Sequence, residues 1–200
     1  MKAGARAVGV AESYRGTDGQ GDDVDVGSEH ASHSTLAAAV VRADRVVDGF
    51  AFGTCTVGGT DATEAVVGVV DALDREDVQY VLVSGVAPAW FNLLDLHAIQ
   101  AAVERPVVSV SFEASPGLES ALASAFEGEA LERRLDTYRR QPEREQLTVN
   151  GETVFVRSVG LGREAATAVV RAFTPAGGRP EPVRVARLAA RAADRLRADS

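Results

Sequence analysis

The segment 45–73 constrains the fold more than any other part of the chain, because it contains a strand, a tight turn and a helix in direct succession. β-Branched and aromatic residues are concentrated between positions 46 and 57, as is typical of a strand. Gly58 and Gly59 follow and allow positive φ, and apolar residues then recur at helical spacing as far as Leu73. The segment predicts an α/β fold, in which a junction between a strand and a helix is a common place for a functional site.

Two carboxylates lie where this helix should begin. Asp61 is a natural N-cap, whose side-chain oxygen would accept a hydrogen bond from the backbone three residues on, and Glu64 would complete a capping box. The same two residues could instead serve a site at the junction. The pattern alone does not separate a capping role from a functional one.

Length and composition predict one soluble domain. The chain has 200 residues, of which 46% are hydrophobic and 25% charged, enough for one sizeable core. It has no apolar run of membrane-spanning length and no apolar block of the signal-peptide kind near its start, so we expect a cytoplasmic protein without a membrane partner. Because Cys55 is the single cysteine, an internal disulfide and a Cys-rich metal cluster are excluded.

The charge balance favours a salt-rich cytoplasm. The net charge is -8, and Lys2 is the only lysine. An acidic, lysine-poor surface suits a halophilic cell, and it predicts a melting temperature that rises between dilute buffer and molar KCl. A melting temperature that does not rise would contradict this expectation. An acidic chain also repels phosphate, so a nucleic-acid partner would need a local basic face or a metal ion.

The first half of the chain predicts a mixed sheet. Apolar strands at 6–12, 35–42 and 46–57 indicate an antiparallel meander, and the following alternation of strands and helices up to Phe112 indicates parallel pairing. Residues 13–34 are rich in Gly, Asp and Ser, which predicts a long exposed loop. Its possible metal ligands have no spacing that matches a known site; they are Asp22, Asp23, His30 and His33.

The second half predicts helices and one hairpin. Residues 85–91 should form a loop, after which Asn92 should cap a helix ending near residue 102, with Asp95 in its first turn. Further helices are expected at 115–126, within 128–145, at 164–173 and after Pro182, and Asn150-Gly151 predicts a type I′ hairpin turn. The last helix carries an arginine stripe that could contact phosphates or an acidic face of the same protein; it consists of Arg184, Arg187, Arg191, Arg195 and Arg197.

Three blocks of the sequence resemble a known family. They are GGTDATE at 58–64, the group Phe91, Asn92 and Asp95 after a short turn, and PEPVRVARLA at 180–189. In this order and spacing they are similar to the archaeal endonuclease dU family, which is distantly similar to endonuclease V. The resemblance runs from about residue 6 to residue 193. It implies a ribonuclease H-like α/β fold, with a mixed sheet flanked by helices, as a single domain over residues 1–200.

The resemblance also implies a chemistry. Family members would hydrolyse phosphodiester bonds near deaminated or uracil-containing nucleotides in DNA, with RNA as the alternative substrate, using Mg²⁺ or Mn²⁺ held by converging carboxylates. Carried onto this chain, it assigns Glu12 and Asp61 as metal ligands and adds Asp95 as a third catalytic candidate. The nucleic-acid contacts that it suggests are Asn92, Arg184 and Arg187.

The chain departs from this family pattern at several positions. Ala11 and Glu12 stand where relatives carry two aspartates, Ser84 stands where they carry another, and Arg187 replaces a usual histidine. Two interpretations follow: a metal-dependent endonuclease, or a non-catalytic relative that binds nucleic acid or protein through a degenerate metal site. An unrelated enzyme has little support, because the chain lacks a Gly-rich phosphate loop, a GxSxG elbow and a catalytic Cys/His pair.

Overall fold

Two short apolar strands, β1 (Arg6–Glu12) and β4 (Tyr80–Ser84), lie side by side at the centre of the protein in the computed structural model, which describes residue 2 and residues 4–14 and 33–198. They belong to a seven-stranded sheet of order β3-β2-β1-β4-β5-β7-β6. The remaining strands are β2 (His33–Arg42), β3 (Val47–Thr56), β5 (Val107–Ser111), β6 (Glu145–Val149) and β7 (Glu152–Val159). The helices are α1 (Ala62–Asp71), the single turn α2 (Pro88–Phe91), α3 (Leu96–Val103), α4 (Glu119–Ala125), α5 (Gly128–Arg139), α6 (Arg163–Ala172) and α7 (Glu181–Ala198).

The antiparallel meander predicted for the first three strands is confirmed. β2 begins at His33, two residues earlier than expected, so the predicted 13–34 loop is shorter at its carboxyl end. Ser13 and Ser34 are both buried, and their hydroxyls lie 3.3 Å apart. They therefore belong to the edge of the sheet. Asp22, Asp23 and His30 lie outside the described residues.

Parallel pairing is confirmed among the central strands. β4 pairs in parallel with β5, as predicted, and also with β1. β4 does not pair with β3, the strand that precedes it in the chain, because α1 crosses over both β2 and β1 before β4 begins. The predicted hairpin is also confirmed. Asn150 and Gly151 have φ values of 50° and 84°, both positive as a type I′ turn requires, and the hairpin extends the sheet beyond β5.

Helices cover both faces of the sheet. One face packs against α1 and α3 in a core that includes Val10, Cys55 and Ile99. The other face packs against α6 and α7, and α7 contacts β1 most closely at Gly9. A Cβ built on Gly9 would lie 2.0 Å from the carbonyl carbon of Pro182, so only glycine admits the helix at this distance. No helix within the described residues is long and apolar enough to cross a membrane.

Two expected helix starts and one expected helix cap are wrong. Asp61 occupies the N-cap position of α1 but makes no side-chain capping bond, so the predicted capping box is absent. The Asn92 side chain caps α1 instead, because its Oδ1 accepts a hydrogen bond from the Ala62 N–H at 2.9 Å. Asp95, not Asn92, caps α3 by accepting from the N–H groups of His97 and Ala98. α4 begins at Glu119 and not at Ser115, since Ser115 and Gly117 hydrogen-bond each other in a local turn.

Candidate functional site

The carboxyl ends of the parallel strands β1, β4 and β5 meet at one edge of the sheet, where Glu12 ends β1 and Ser84 ends β4. The antiparallel neighbours bring the start of β2 and the end of β3 to the same edge. Glu12 Oε2 there accepts hydrogen bonds from the Ser34 hydroxyl at 2.8 Å and from the Tyr14 N–H. This edge collects most of the predicted site residues, as expected for an open α/β sheet.

Glu12 is a half-buried acid. Burial raises the pKa of its carboxyl above the ordinary glutamate value, although the hydrogen bonds from Ser34 and Tyr14, the charge of Arg187 and the backbone of Ala89 act in the opposite direction. Desolvation disfavours the charged form more than these partners favour it. Glu12 therefore holds its proton more tightly in the folded protein than in the unfolded chain.

Asp61 is saturated with hydrogen bonds. Each of its oxygens lies 3.1 Å from the Thr56 N–H, Oδ2 also accepts from the Thr56 hydroxyl at 2.9 Å, and Oδ1 accepts from Asn92 Nδ2 at 2.6 Å. Burial opposes ionisation, but the bonds from Asn92 and Thr56 outweigh it and lower the pKa of Asp61. The carboxylate is ionised, and it closes the loop between β3 and α1.

Asn92 connects this loop to the rest of the edge. It is fully buried, at 0% exposure, and its Nδ2 donates to the Thr56 carbonyl at 2.8 Å as well as to Asp61. With the bond that Oδ1 accepts from Ala62, the amide is engaged at both ends. This placement gives Asn92 a positioning role for Asp61 and α1.

A left-handed turn precedes Asn92. Ala89, Trp90 and Phe91 have φ values of 45°, 53° and 61°, and the Asn92 N–H donates to the Pro88 carbonyl at 3.0 Å. For residues other than glycine, this conformation costs roughly 1–2 kcal/mol each. Such strain persists where the surroundings enforce it, and it occurs often at functional sites.

Arg134 of α5 holds the turn in place. Its guanidinium donates to the carbonyls of Gly58 at 2.6 Å, Gly59 at 3.0 Å and Phe91 at 3.3 Å, so one side chain joins the two loops of this edge. The sequence placed Arg134 among basic residues of a solvated helix face. The structure shows it buried, with the guanidinium over the Phe126 ring at 3.8 Å.

The donor set at this edge does not fit the metal centre that the resemblance implies. Glu12 and Asp61 both influence Cys55: burial of the thiol and the charges of Asp61 and Glu12 raise the pKa of Cys55 to about 12. However, the oxygens of Asp61 already have donors, and Ser84 brings no charge. Among residues 4–14 and 33–198, no three His, Cys, Asp or Glu side chains group in a way that could hold a metal ion. We therefore derive no catalytic step through Mg²⁺ or Mn²⁺.

Two other predicted residues have charged or hydrogen-bonded partners other than Glu12 and Asp61. Asp95 caps α3, and its Oδ2 lies 3.7 Å from Arg140 Nη2. Arg184 is exposed and ion-paired with Glu181 at 2.5 Å. Asp95 does line a surface cavity with Thr60 and Thr63, but it brings no further carboxylate to Glu12.

Arg187 lines an arginine-rich cavity that was not predicted from the sequence. It lies on α7, its charge acts on Glu12, and it lines a cavity of about 350 Å³ that begins at Ser84. Three more arginines line the same cavity: Arg144, Arg157 and Arg179. Burial and the neighbouring charges of Arg187 and Arg191 lower the pKa of Arg179. Because the four arginines come from distant parts of the chain, only the fold shows that they converge.

Glu12 gives the site a testable pH dependence. A carboxyl with a raised folded pKa contributes stability that is present at low pH and is lost as the pH rises through that folded pKa. We expect Glu12→Gln to be less stable than the native protein near pH 4 and at least as stable at pH 7. Urea unfolding of both proteins at several pH values measures this difference, in which other titrating groups, including Asp61, cancel. A difference that does not change with pH would contradict the burial of Glu12.

Comparison of sequences gives matches over almost the whole chain. Residues 3–194 match the sequence model of the family described as endonuclease dU. A UPF0215 protein of Pyrobaculum calidifontis is 32% identical over 183 residues, which cover 90% of this chain and 92% of that protein. Another, from Pyrobaculum aerophilum, is 31% identical over 186 residues, which cover 92% and 91%.

Comparison of structures confirms the predicted fold. A protein of unknown function from Archaeoglobus fulgidus superposes with a TM-score of 0.77 at 24% identity, covering 94% of this chain and 98% of that one. Endonuclease V of Ciona intestinalis, in complex with a 24mer DNA containing an inosine followed by a ribo-adenosine, gives a TM-score of 0.62 at 12% identity, covering 96% and 86%. Human endonuclease V gives 0.59 at 17% identity, covering 97% and 86%. The fold shared with these nucleases is ribonuclease H-like.

Proposed function

Because the chain belongs to the endonuclease dU family, we propose that it binds nucleic acid at the carboxyl edge of its sheet. Its ligand would be a DNA or RNA strand with a deaminated or uracil-containing nucleotide. In this proposal the protein recognises the strand without cutting it through a two-metal centre. It is thus a nuclease-family relative whose site serves binding.

The cavity lined by Arg144, Arg157, Arg179 and Arg187 is the observation that carries this proposal. With a net charge of -8, the protein as a whole repels a polyanion, and binding requires a local basic site. The cavity supplies such a site, and it also contains aromatic side chains, of which Phe112 and Phe155 each lie against an arginine. Arginine and aromatic surfaces together suit nucleotides, which present phosphate charge and flat bases.

The carboxylates support binding over metal-dependent cleavage. A hydrolytic centre needs several free carboxylate oxygens around one or two hard cations. Glu12 is half-buried with a raised pKa, and both oxygens of Asp61 already accept hydrogen bonds from Thr56 or Asn92. In addition, the positive charge of Arg187 acts on Glu12 and would oppose a cation beside it.

The test measures binding and cleavage on the same oligonucleotides. Fluorescence anisotropy with single-stranded and duplex DNA and RNA, containing uracil, inosine or neither, should show binding that weakens as salt rises. Arg187→Met should weaken this binding about tenfold or more, since a hydrogen bond to a charged group contributes roughly 1.5–3 kcal/mol. Arg171→Met, a change of equal charge on α6 outside the cavity, should leave it nearly unchanged.

A cleavage assay distinguishes a binding protein from a metal-dependent endonuclease. Incubation with Mg²⁺ or Mn²⁺ at low and high salt should yield no strand scission. Scission of uracil- or inosine-containing strands that disappears in Glu12→Gln and Asp61→Asn would overturn the binding proposal and establish the endonuclease, with Glu12 and Asp61 as its metal ligands. If the native protein and the Arg187→Met variant bind nucleic acid equally well, the cavity is not the binding site.

A further inference from the structure

Two arginines of the cavity have no acidic side chain in ion-pair contact within the described residues. Within the described residues, neither Arg179 nor Arg187 forms an ion pair with an acidic side chain, and Arg179 Nη1 is a buried nitrogen without a hydrogen-bond partner. A buried cationic donor left unpaired costs several kcal/mol unless an anion completes it. Two guanidinium groups without a hydrogen-bonded acid at one cavity, one of them with a buried unpartnered nitrogen, therefore indicate an anionic ligand.

The other two arginines of the cavity are held in place by hydrogen bonds within the protein. Arg144 Nη1 donates to the Ser115 carbonyl at 2.7 Å, and Arg157 donates to the Pro142 carbonyl and, at 3.3 Å, to the Tyr138 hydroxyl. Their donors are thus largely used by the protein itself. Among the described residues, the cavity arginines without a hydrogen-bond partner are Arg179, at its buried Nη1, and Arg187.

Aromatic rings fix the planes of two of these arginines. The guanidinium carbon of Arg179 lies 3.9 Å from the centre of the Phe112 ring, and that of Arg144 lies 3.9 Å from the centre of the Phe155 ring. A guanidinium stacked on a ring keeps its N–H edge free to donate in the plane, which is the geometry that binds phosphate oxygens in pairs.

The size and charge of the cavity limit the kinds of ligand that it can bind. A volume of about 350 Å³ is at the small end of ligand cavities, which span roughly 300–1,000 Å³, and the buried residues Ser109 and Val110 of β5 line its inner side. A phosphomonoester carries a charge of about -1.5 to -2 at pH 7, whereas each phosphodiester inside a strand carries a single charge. The charge of a terminal phosphate matches two free guanidinium groups better than an internal one does.

Resting on the proposed function, we propose that the cavity binds a terminal phosphomonoester together with the nucleoside that carries it. The phosphate would accept hydrogen bonds from Arg179 and Arg187, and the nucleoside would lie among the aromatic and serine side chains of the cavity. This chemistry has two sources, the phosphorylated end of a nucleic-acid strand and a free nucleotide.

The experiment compares strand ends on the full-length protein. One labelled single-stranded oligonucleotide is prepared with a 5′-phosphate, with a 3′-phosphate or with hydroxyl ends, and a nucleoside monophosphate and its nucleoside serve as competitors. We expect one phosphorylated end to bind at least tenfold more tightly than the hydroxyl-ended strand. This advantage should be lost in Arg179→Met, which keeps an apolar stem against Phe112, and kept in Arg171→Met.

The outcomes separate the two proposals. Equal binding of all three strands would overturn the terminal-phosphate site and leave the proposed function standing. Direct binding of the monophosphate, measured by isothermal titration calorimetry, without binding of any strand would support the site with a free nucleotide as its source and overturn the proposed function. Binding of neither would overturn both. If Arg179→Met does not fold, as judged by circular dichroism and urea unfolding, Arg187→Met takes its place with the same expected loss.

Discussion

Replacing Asn92 by alanine should lower the free energy of unfolding by about 3–5 kcal/mol. The change removes the bonds to Asp61 Oδ1, the Thr56 carbonyl and the Ala62 N–H together, at a position with 0% exposure. Each buried polar group left without a partner costs roughly 1–3 kcal/mol. Urea unfolding at pH 7 measures the loss.

A matched variant tests whether the amide network is the cause. Thr56→Val removes only the hydroxyl bond to Asp61 Oδ2, so it should cost about 1 kcal/mol. The two losses should therefore differ severalfold. If Asn92→Ala lowers the free energy of unfolding no more than Thr56→Val does, the three hydrogen bonds of Asn92 do not stabilise the fold.

Replacing Gly9 by alanine should cost about 3 kcal/mol or more. The new Cβ would lie 2.0 Å from the carbonyl carbon and 2.2 Å from the carbonyl oxygen of Pro182, and backbone atoms cannot rotate out of the way as a side chain can. α7 must therefore shift away from β1. Because Arg187 lies on α7, the same change should also weaken any ligand binding in the arginine cavity.

Gly68→Ala is the control for this substitution. Gly68 lies inside α1, and a Cβ there would meet no atom within 4 Å. The loss of a helical glycine should stabilise the protein by about 0.5–1 kcal/mol. Opposite signs for the two glycine variants in thermal unfolding are the expected result. A Gly9→Ala variant as stable as the native protein would show that α7 does not pack against β1 at this distance.

The strands of this fold could be predicted because their signals are local. β-Branched runs in β1, β4 and β5, and the Asn150-Gly151 turn between β6 and β7, depend on neighbouring residues only. The pairing of β4 with β1 could not be derived in the same way. It depends on where a crossover helix returns the chain, which is set by packing across the whole sheet.

The candidate site was predictable only in part, and Asp61 shows why. Its position before a helix predicted a cap, but its carboxylate turns back to Thr56 and Asn92, and Asn92 caps the helix across 30 positions of sequence. Sequence spacing gives no sign of such a long-range exchange of roles. The resemblance did identify Glu12, Asp61 and Arg187 as residues of interest, and the structure places all three at the carboxyl edge. Whether Glu12 and Asp61 share an ion stays a prediction.

Strand β7 supplies Phe155 and Arg157 to one wall of the cavity, and Arg144 lies directly before β6, whereas Arg179 and Arg187 come from the segment before α7 and from α7 itself. A bound molecule would therefore link two parts of the chain that otherwise unfold locally at their own rates. Backbone amides in β7 and in the first turns of α7 should then slow their exchange with deuterium together when a ligand saturates the protein. Deuterium exchange in the edge hairpin would thus show whether the arginine cavity is occupied.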